Sequence, residues 1–306
     1  IGGKPAVDLS MIKMQLCMLC MLAVGFICGK RKMLSAEGRR EITDIFVKVI
    51  LPCNVLSSFC EHVPFEKIKT GLPIIVIYSL VLISAWLLGR IIYRKFEPGQ
   101  KKIFIYSTIV SNAHFLGFPV IQALWGSEAI IYASMALIPI VFFTWTLGLS
   151  QFVAVSKTEG VKAFLTHPCF VALLIGMLLT AFQADIPGPV AEAITRFGNC
   201  VMPISVLLIG TMLADIELKG LFDWRNILGS AVRLLVLPLL TLLVLRILGV
   251  SEEIVRVTVI MVAMPVAIIT AILAEQYKAD VKCASQLVFL STVASLFTLP
   301  AIYYFL

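Results

Sequence analysis

Residues 111–119 of the chain read Ser-Asn-Ala-His-Phe-Leu-Gly-Phe-Pro. They lie inside an apolar run, residues 103–125, that is long enough to cross a bilayer as a helix. Pro119 lacks an N–H group and clashes with the preceding helical turn, and Phe118 before it is disfavoured in the α region. Gly117 permits an unusual backbone conformation. The stretch therefore predicts that this helix stops at membrane depth.

A helix that stops inside the membrane has few explanations. Irregular backbone at that depth is tolerated only inside protein or along a water-filled cavity, because lipid cannot bond its polar groups. Asn112 and His114 would place two polar side chains there. Many carriers hold a solute at such a broken helix, with the positive N-terminus of its second half facing the cavity. The alternative is an ordinary proline kink, which is common in membrane helices.

The composition is that of an integral membrane protein. The chain has 306 residues, of which 60% are hydrophobic and 14% are charged. Charged and Gly/Pro-rich clusters divide it into apolar runs of about 20 residues, the length that spans a bilayer as a helix. These runs predict ten transmembrane helices with no soluble domain attached, at residues 11–29, 42–60, 72–92, 103–125, 129–155, 165–182, 190–213, 227–248, 254–277 and 284–306.

The net charge of +7 follows membrane topology and needs no nucleic-acid partner. Sixteen Lys and Arg residues lie in or beside the odd-numbered connections between the predicted helices, against seven in the even-numbered connections and at the N-terminus. By the positive-inside rule, the odd-numbered connections face the cytoplasm. We therefore expect a multi-pass protein of the cell (inner or plasma) membrane, in contact with membrane lipid, with both termini outside.

Helices 2 and 7 share a short pattern. Residues 46–56 and 197–207 both begin with Phe, have Pro six residues later, and end in Val-Leu. A polar residue follows each proline by two positions, Asn54 in one helix and Ser205 in the other. These helices hold equivalent positions if the chain consists of two units of five helices.

A second pair of prolines supports the two units. Pro265 lies at mid-span in helix 9, as Pro119 does in helix 4. An odd number of helices in each unit inverts the second unit in the membrane, and broken helices at matched positions indicate a transporter site. The sequence therefore predicts inverted repeats at residues 11–155 and 165–306, preceded by an N-terminal extension of residues 1–10.

Few ionisable groups lie within the predicted spans, and each is a functional hypothesis by default. Lys48 follows Asp44 by one helical turn. Lys48 either snorkels to the cytoplasmic surface or serves the solute path, with Asp44 as its candidate coupling partner. For Arg233 in helix 8 we expect snorkelling. His114 is a hydrogen-bonded structural residue or, as the alternative, a proton relay.

Missing motifs narrow the function further. The two broken segments contain no Asp or Glu that could hold a cation. The chain has no phosphate-binding glycine loop, His-Glu-x-x-His or Gly-x-Ser-x-Gly motif, so that it lacks the machinery of a pump, protease or lipase. We expect no enzyme, no catalytic residue, no metal and no cofactor, with Na⁺ or H⁺ coupling left open. Amide and hydroxyl donors and two half-helix N-termini suit a carboxylate.

These residues resemble the auxin efflux carrier family, which includes the plant PIN transporters and many bacterial permeases. Residues 112–119 resemble the family's Asn-x-x-Phe-x-Gly-x-Pro crossover, and residues 48–53 resemble its second helix. Residues 264–266 and 291–300 are similar to the bacterial, malate-permease-like branch. The chain lacks the long cytoplasmic loop of the plant carriers, since only residues 156–166 connect helices 5 and 6.

The resemblance implies an all-α elevator fold like that of bile-acid symporters and NhaA-like antiporters, with ten helices in two inverted five-helix repeats and with helices 4 and 9 crossing. It implies a scaffold of helices 1, 2, 6 and 7, which often forms a homodimer, and a moving transport domain of helices 3–5 and 8–10. The solute would be a small organic anion, either a dicarboxylate or a hydrophobic monocarboxylate. The expected substrate-binding residues are Asn112, His114, Phe115, Gly117, Pro119, Pro265, Ile268, Asn54 and Ser205.

Two other functions fit the same residues. A sodium-coupled organic-anion symporter of the bile-acid type needs polar groups for a cation, which Ser111, Asn112, Thr270 and Gln276 supply. A channel or sensor with the same fold needs no transport cycle. Sodium dependence of uptake separates the first from an uncoupled carrier, and flux in vesicles separates the second.

Overall fold

The structure is a computed structural model that describes residues 9–60, 65–153, 162, 165–184, 186–216 and 220–306. Most of the predicted N-terminal extension and of the connection between helices 5 and 6 lies outside these residues. The described backbone is mostly helical, and its helices group into ten units, of which α4 and α9 consist of two halves. Their bounds are α1 Leu9–Lys30, α2 36–57, α3 Phe65–Gly71 with Pro73–Ile92, α4a Pro98–Ile109, α4b Ala113–Trp125, α5 Ser127–Gln151, α6 Pro168–Phe182, α7 Gly188–Leu213, α8 Trp224–Ile247, α9a Glu252–Val262, α9b Ile269–Gln276 and α10 Val281–Phe305.

Five of these helices, α3, α5, α7, α8 and α10, are long and apolar enough to cross a membrane. The helices α4b and α6 and the C-terminal part of α1 are apolar but shorter. The chain is thus an all-helical membrane protein, as the composition predicts. That all ten units cross the bilayer, in inverted repeats, stays a prediction.

Wide helical turns precede three of the prolines. These are the π-helical turns Phe46–Ile50, Ala113–Gly117 and Val232–Val236. In each, the residue after the turn donates its N–H to the carbonyl of the turn's first residue, five positions back. Each turn is followed two residues later by a proline, so that the wider turn relieves the clash between the proline ring and the preceding carbonyl. Helices α2, α4b and α8 therefore pass through their prolines without ending.

The wide turn corrects two expectations for the first broken helix. Phe118 was expected to leave the α region, but its φ of −61° and ψ of −52° are helical. Gly117 is helical as well, with φ −63° and ψ −48°. The helix instead stops at the start of this stretch, at residues 110–112, and resumes at Ala113. Pro119 thus lies inside the second half-helix, where the wide turn Ala113–Gly117 accommodates its ring.

The breaks of α4 and α9 lie against each other. Ser111 and Val266 form an isolated antiparallel bridge. The Asn112 N–H donates to the Pro265 carbonyl at 2.7 Å, and the Ala267 N–H donates to the carbonyl of residue 110 at 3.4 Å. Each half-helix packs against the opposite half of the other helix, α4a on α9b and α4b on α9a. The pairing satisfies backbone groups that lipid could not bond.

The remaining helices pack in two sets around this crossing. Helix α1 lies along α7, and α2 packs on α6 and α7. Helix α3 packs on α4a and α5, while α8 packs on α9a and α10. The contact between α1 and α7 is close, since a Cβ atom on Gly210 would lie 2.8 Å from the Gly25 Cα. The assignment of these sets to a scaffold and a transport domain stays a prediction.

Candidate substrate site at the helix crossing

Asn112 lies in the break of α4, immediately before the first residue of α4b. Its carbonyl accepts the N–H groups of Leu116 and Gly117 at 3.0 and 3.3 Å, so that it starts α4b. Its side chain is buried, and the Nδ2 group has no partner among the described residues. Buried polar groups are normally bonded, and the N-terminus of a helix carries partial positive charge. Asn112 therefore offers a donor that a bound anion would satisfy.

His114 lies two residues after Asn112 and faces a second histidine. The rings of His114 and His167 are 5.7 Å apart between centroids. Nε2 of His114 and Nδ1 of His167 are buried, with no hydrogen-bond partner among the described groups. His167 immediately precedes α6 and was not predicted from the sequence, because nothing in its local pattern shows that α6 packs near the broken helix.

Three other predicted site residues, Phe115, Gly117 and Pro119, form helix contacts. The Phe115 ring stacks on Phe46 of α2, with centroids 4.6 Å apart. A Cβ atom on Gly117 would lie 2.9 Å from the Met261 sulfur of α9a, so that this glycine allows the two half-helices to approach. Pro119 is buried. The structure shows these residues in packing roles, and their contact with a solute stays a prediction.

The α9 side of the crossing contains Pro265, Ile268 and Thr270. The Pro265 carbonyl bonds to the first break, and the next N–H group, that of Val266, donates to Oγ of Ser291 in α10 at 3.1 Å. Thr270 is fully buried, and its hydroxyl has no partner in the described part of the chain. Ile268 is half-buried and borders a large cavity. Thr270 thus adds a further polar group without a partner among the described residues.

Asn54 and Ser205, predicted to form the opposing wall, differ in their contacts. Asn54 Nδ2 donates to Oε1 of Gln122 at 3.0 Å and to the Gly198 carbonyl at 3.2 Å. Gln122 Nε2 in turn donates to Oδ1 of Asn199 at 3.5 Å. These amides join α4b to α2 and α7. Ser205 donates to the carbonyl of residue 202 in its own helix at 3.2 Å. Gln122 was missed, although it is an amide in an apolar span.

A cavity of about 1300 Å³ opens beside the crossing. Its walls are the start of α2, the end of α7, α9b and the start of α10. Arg39 of α2 pairs with Asp215 after α7 at 2.5 Å and donates to the Thr211 carbonyl at 2.9 Å, which ties two walls together. The charged residues that line the cavity are Glu37, Glu41, Asp44, Asp215 and Glu275 against Arg39, Arg40 and Lys282.

The candidate coupling residues form a surface pair. Lys48 Nζ lies 2.6 Å from Oδ2 of Asp44, and about two thirds of each side chain is exposed. Asp44 lines the cavity, and Lys48 is not among its lining residues. The geometry leaves open whether Lys48 serves the solute path.

Arg233 does not snorkel, and that prediction is wrong. Its side chain is only 2% exposed. The wide turn Val232–Val236 of α8 holds it at the crossing, where it donates to two backbone carbonyls.

No three His, Cys, Asp or Glu side chains of the described residues come together in a way that could hold a metal ion.

Long apolar helices, two paired helix breaks and an adjoining cavity are features of membrane transporters. The family model described as "Membrane transport protein" matches residues 10–164 and 150–303, nearly the whole chain. The chain belongs to this family, that of the auxin efflux carriers.

Two archaeal proteins are similar over almost their full length. An uncharacterized transporter of Methanocaldococcus jannaschii is 23% identical over 291 residues, which cover 92% of this chain and 94% of the relative. An uncharacterized transporter of Methanothermobacter thermautotrophicus is 24% identical over 295 residues, which cover 93% and 95%. The likeness supports membrane transport as the activity and names no solute.

Proposed function

We propose that the protein is a secondary carrier for small organic anions, and that the solute carboxylate binds at the crossing of α4 and α9. The observation that carries the proposal is the buried Nδ2 donor of Asn112, which has no partner among the described residues and lies at the start of α4b. The start of α9b follows the second break, and the buried Thr270 hydroxyl in its first turn has no partner among the described residues. Two helix N-termini and these donors favour negative charge.

The position of the cavity supports alternating access. It lies between α2 and α7 on one side and α9b and α10 on the other. All four bordering helix ends adjoin odd-numbered connections, which carry the excess of basic residues, so that the charge bias supports an opening toward the cytoplasm. The amides of Asn54, Gln122 and Asn199 join helices toward the other ends of α2 and α4b. An elevator movement of the crossing past α2 and α7 would break these contacts.

The charges of the cavity rim do not select anions. Carboxylates outnumber basic residues there, and the Arg39 guanidinium is already paired with Asp215. Selection for an anion therefore falls to the crossing, whose two breaks contain no acidic residue. Ile268 and the apolar residues beside it would contact the hydrocarbon part of the solute.

A thermal-unfolding screen tests the proposal. The purified full chain in detergent is melted with a series of short mono- and dicarboxylic acids at fixed pH and ionic strength. A ligand that binds the native state raises the melting temperature by mass action. We expect a saturable rise with at least one carboxylic acid and its loss in Asn112→Ala, which removes a donor and leaves the backbone pairing of the crossing in place.

Asn226→Ala is the matched control, because Asn226 is also buried but bonds to Gln286 and to a backbone carbonyl away from the crossing. That variant should melt lower and keep the carboxylate-dependent rise. Uptake of the best acid into vesicles then separates a carrier from a sensor. An Asn112→Ala variant that keeps the full rise would remove Asn112 from the site, and the absence of any rise with any acid would contradict the anion proposal.

A further inference from the structure

Arg233 is a buried cation at the point where the two broken helices meet. It donates from Nε to the Met264 carbonyl at 3.0 Å and from Nη1 to the Thr108 carbonyl at 2.8 Å. Its two carbonyl partners come from different helices, one near the end of α4a and one just after α9a. The guanidinium thus joins both breaks.

These carbonyls are available because both helices stop. In an unbroken helix the Thr108 carbonyl would accept the N–H group of Asn112, but that group donates to Pro265 instead. Met264 lies two residues past the last residue of α9a. Carbonyls at a helix C-terminus have no partner within the helix and carry partial negative charge. Arg233 therefore neutralises two helix C-termini at once.

Among the described residues, the surroundings of Arg233 provide backbone carbonyls and phenols and no acid that pairs with it. No carboxylate in the described part of the chain lies within ion-pair distance of its guanidinium. The phenol of Tyr78 adjoins both Arg233 and Ser111, and the phenol of Tyr93 is also close. A buried charge is stable only when it is paired or fully hydrogen-bonded. Here the backbone carbonyls and helix dipoles take the place of a carboxylate.

Unwound carbonyls and half-helix C-termini are the groups with which ion-coupled carriers hold Na⁺ at the membrane midplane. We propose that the guanidinium of Arg233 is a built-in cation that occupies this position, so that the protein takes its solute without Na⁺. The statement about the solute depends on the proposed function, whereas the occupied cation position does not. With both C-termini neutralised, the N-termini of α4b and α9b remain the charged ends that a solute can meet.

The test measures the cation dependence of thermal unfolding with no organic acid present. The purified full chain is melted in NaCl, KCl and choline chloride at equal ionic strength. For the wild type we expect the same melting temperature in all three salts. Arg233→Ala leaves the carbonyls without a cation, so that we expect a lower melting temperature in choline chloride and a saturable rise of several degrees with Na⁺ or with millimolar guanidinium. Arg233→Lys keeps the charge and should remain insensitive to Na⁺.

Arg246→Ala is the matched control. Arg246 lies on the same helix and also bonds to carbonyls at a helix end, those of Phe305 and Leu306 at 3.0 and 3.2 Å, but it is exposed. Its loss should lower the melting temperature without any dependence on the cation. A simple loss of packing at Arg233 would likewise give no recovery with guanidinium.

A Na⁺-specific, saturable rise in the wild type would overturn the inference, as would a folded Arg233→Ala variant that ignores every cation. If Arg233→Ala does not fold, the wild type and Arg233→Lys decide the question. A Na⁺-specific rise in either contradicts the proposal, and a folded, Na⁺-insensitive lysine variant supports it. An acid screen without any ligand would contradict the anion proposal alone and leave this result unaffected.

Discussion

The side chain of Asn54 in α2 donates from Nδ2 to Oε1 of Gln122 in α4b, 3.0 Å away. Gln122 also bonds to Asn199 of α7 at 3.5 Å. Two amide hydrogen bonds thereby attach a half-helix of the crossing to two neighbouring helices, beside the stacking of Phe115 on Phe46. Neutral amide hydrogen bonds contribute about 1 kcal/mol each to stability, which is small enough to be broken during a transport cycle.

Gln122→Ala should loosen this attachment. We expect the amides of residues 113–125 to exchange hydrogen faster, because α4b loses its bonds to α2 and α7 and opens locally at lower free energy. The melting temperature should fall only slightly. Hydrogen–deuterium exchange followed by mass spectrometry measures the effect on the peptides that cover α4b.

Gln151→Ala serves as the control for this variant, since Gln151 bonds to the carbonyl of residue 147 and to Ser150 within its own helix. Exchange in α4b should stay at the wild-type rate in that variant. Equal exchange of α4b in Gln122→Ala and the wild type would show that the amide bridge does not hold the half-helix.

The broken helices could be predicted from the sequence because prolines at matched depth leave few alternatives in lipid. The position of the break could not. Pro119 and Phe118 are helical because the wide turn Ala113–Gly117 absorbs the proline, and the break at residues 110–112 depends on its pairing with Val266 of the distant α9. A pairing between two segments so far apart has no local signal.

The contacts of Arg233 and Gln122 could not be predicted from the sequence either. Each is a polar residue in a largely apolar span, and such residues are functional candidates. The sequence gives the depth of a residue along its helix but not the helix that it faces. Snorkelling was therefore a reasonable expectation for Arg233, and only the arrangement of α8 against the crossing corrects it.

Ser291→Ala should destabilise the crossing. The Ser291 Oγ accepts the Val266 N–H at 3.1 Å in the α9 break, and both residues are fully buried. Leaving a buried N–H unsatisfied costs about 1–3 kcal/mol. We expect a clear fall in melting temperature, against almost none for Ser295→Ala, because the equally buried Ser295 bonds only to its own helix at Thr292. Similar melting of both variants would argue that the Val266 N–H finds another partner.

Gly210→Ala should weaken the contact between α1 and α7. The new Cβ would lie 2.8 Å from the Gly25 Cα and from the backbone nitrogen of residue 26, and backbone atoms cannot move aside as a flexible side chain can. Overpacking of this kind costs about 1–3 kcal/mol. Gly188→Ala at the start of the same helix, where the space around the Cβ position is open, should change stability by less than about 0.5 kcal/mol. The difference in melting temperature between the two variants checks the prediction, and equal effects would contradict it.

Lys48→Met decides between the two roles left open for this lysine. Its ion pair with Asp44 is exposed, and exposed i,i+4 pairs contribute only about 0.3–0.5 kcal/mol, so that the melting temperature should hardly change. Lys48 forms no described bond to Asn112 or to the breaks, and we therefore expect the carboxylate-dependent rise in melting temperature to be retained as well. Arg196→Met removes the corresponding exposed pair with Glu192, 2.6 Å long, from the start of α7 and supplies the baseline. If Lys48→Met melts like that control but loses the rise, the lysine takes part in solute binding, and the surface role is excluded.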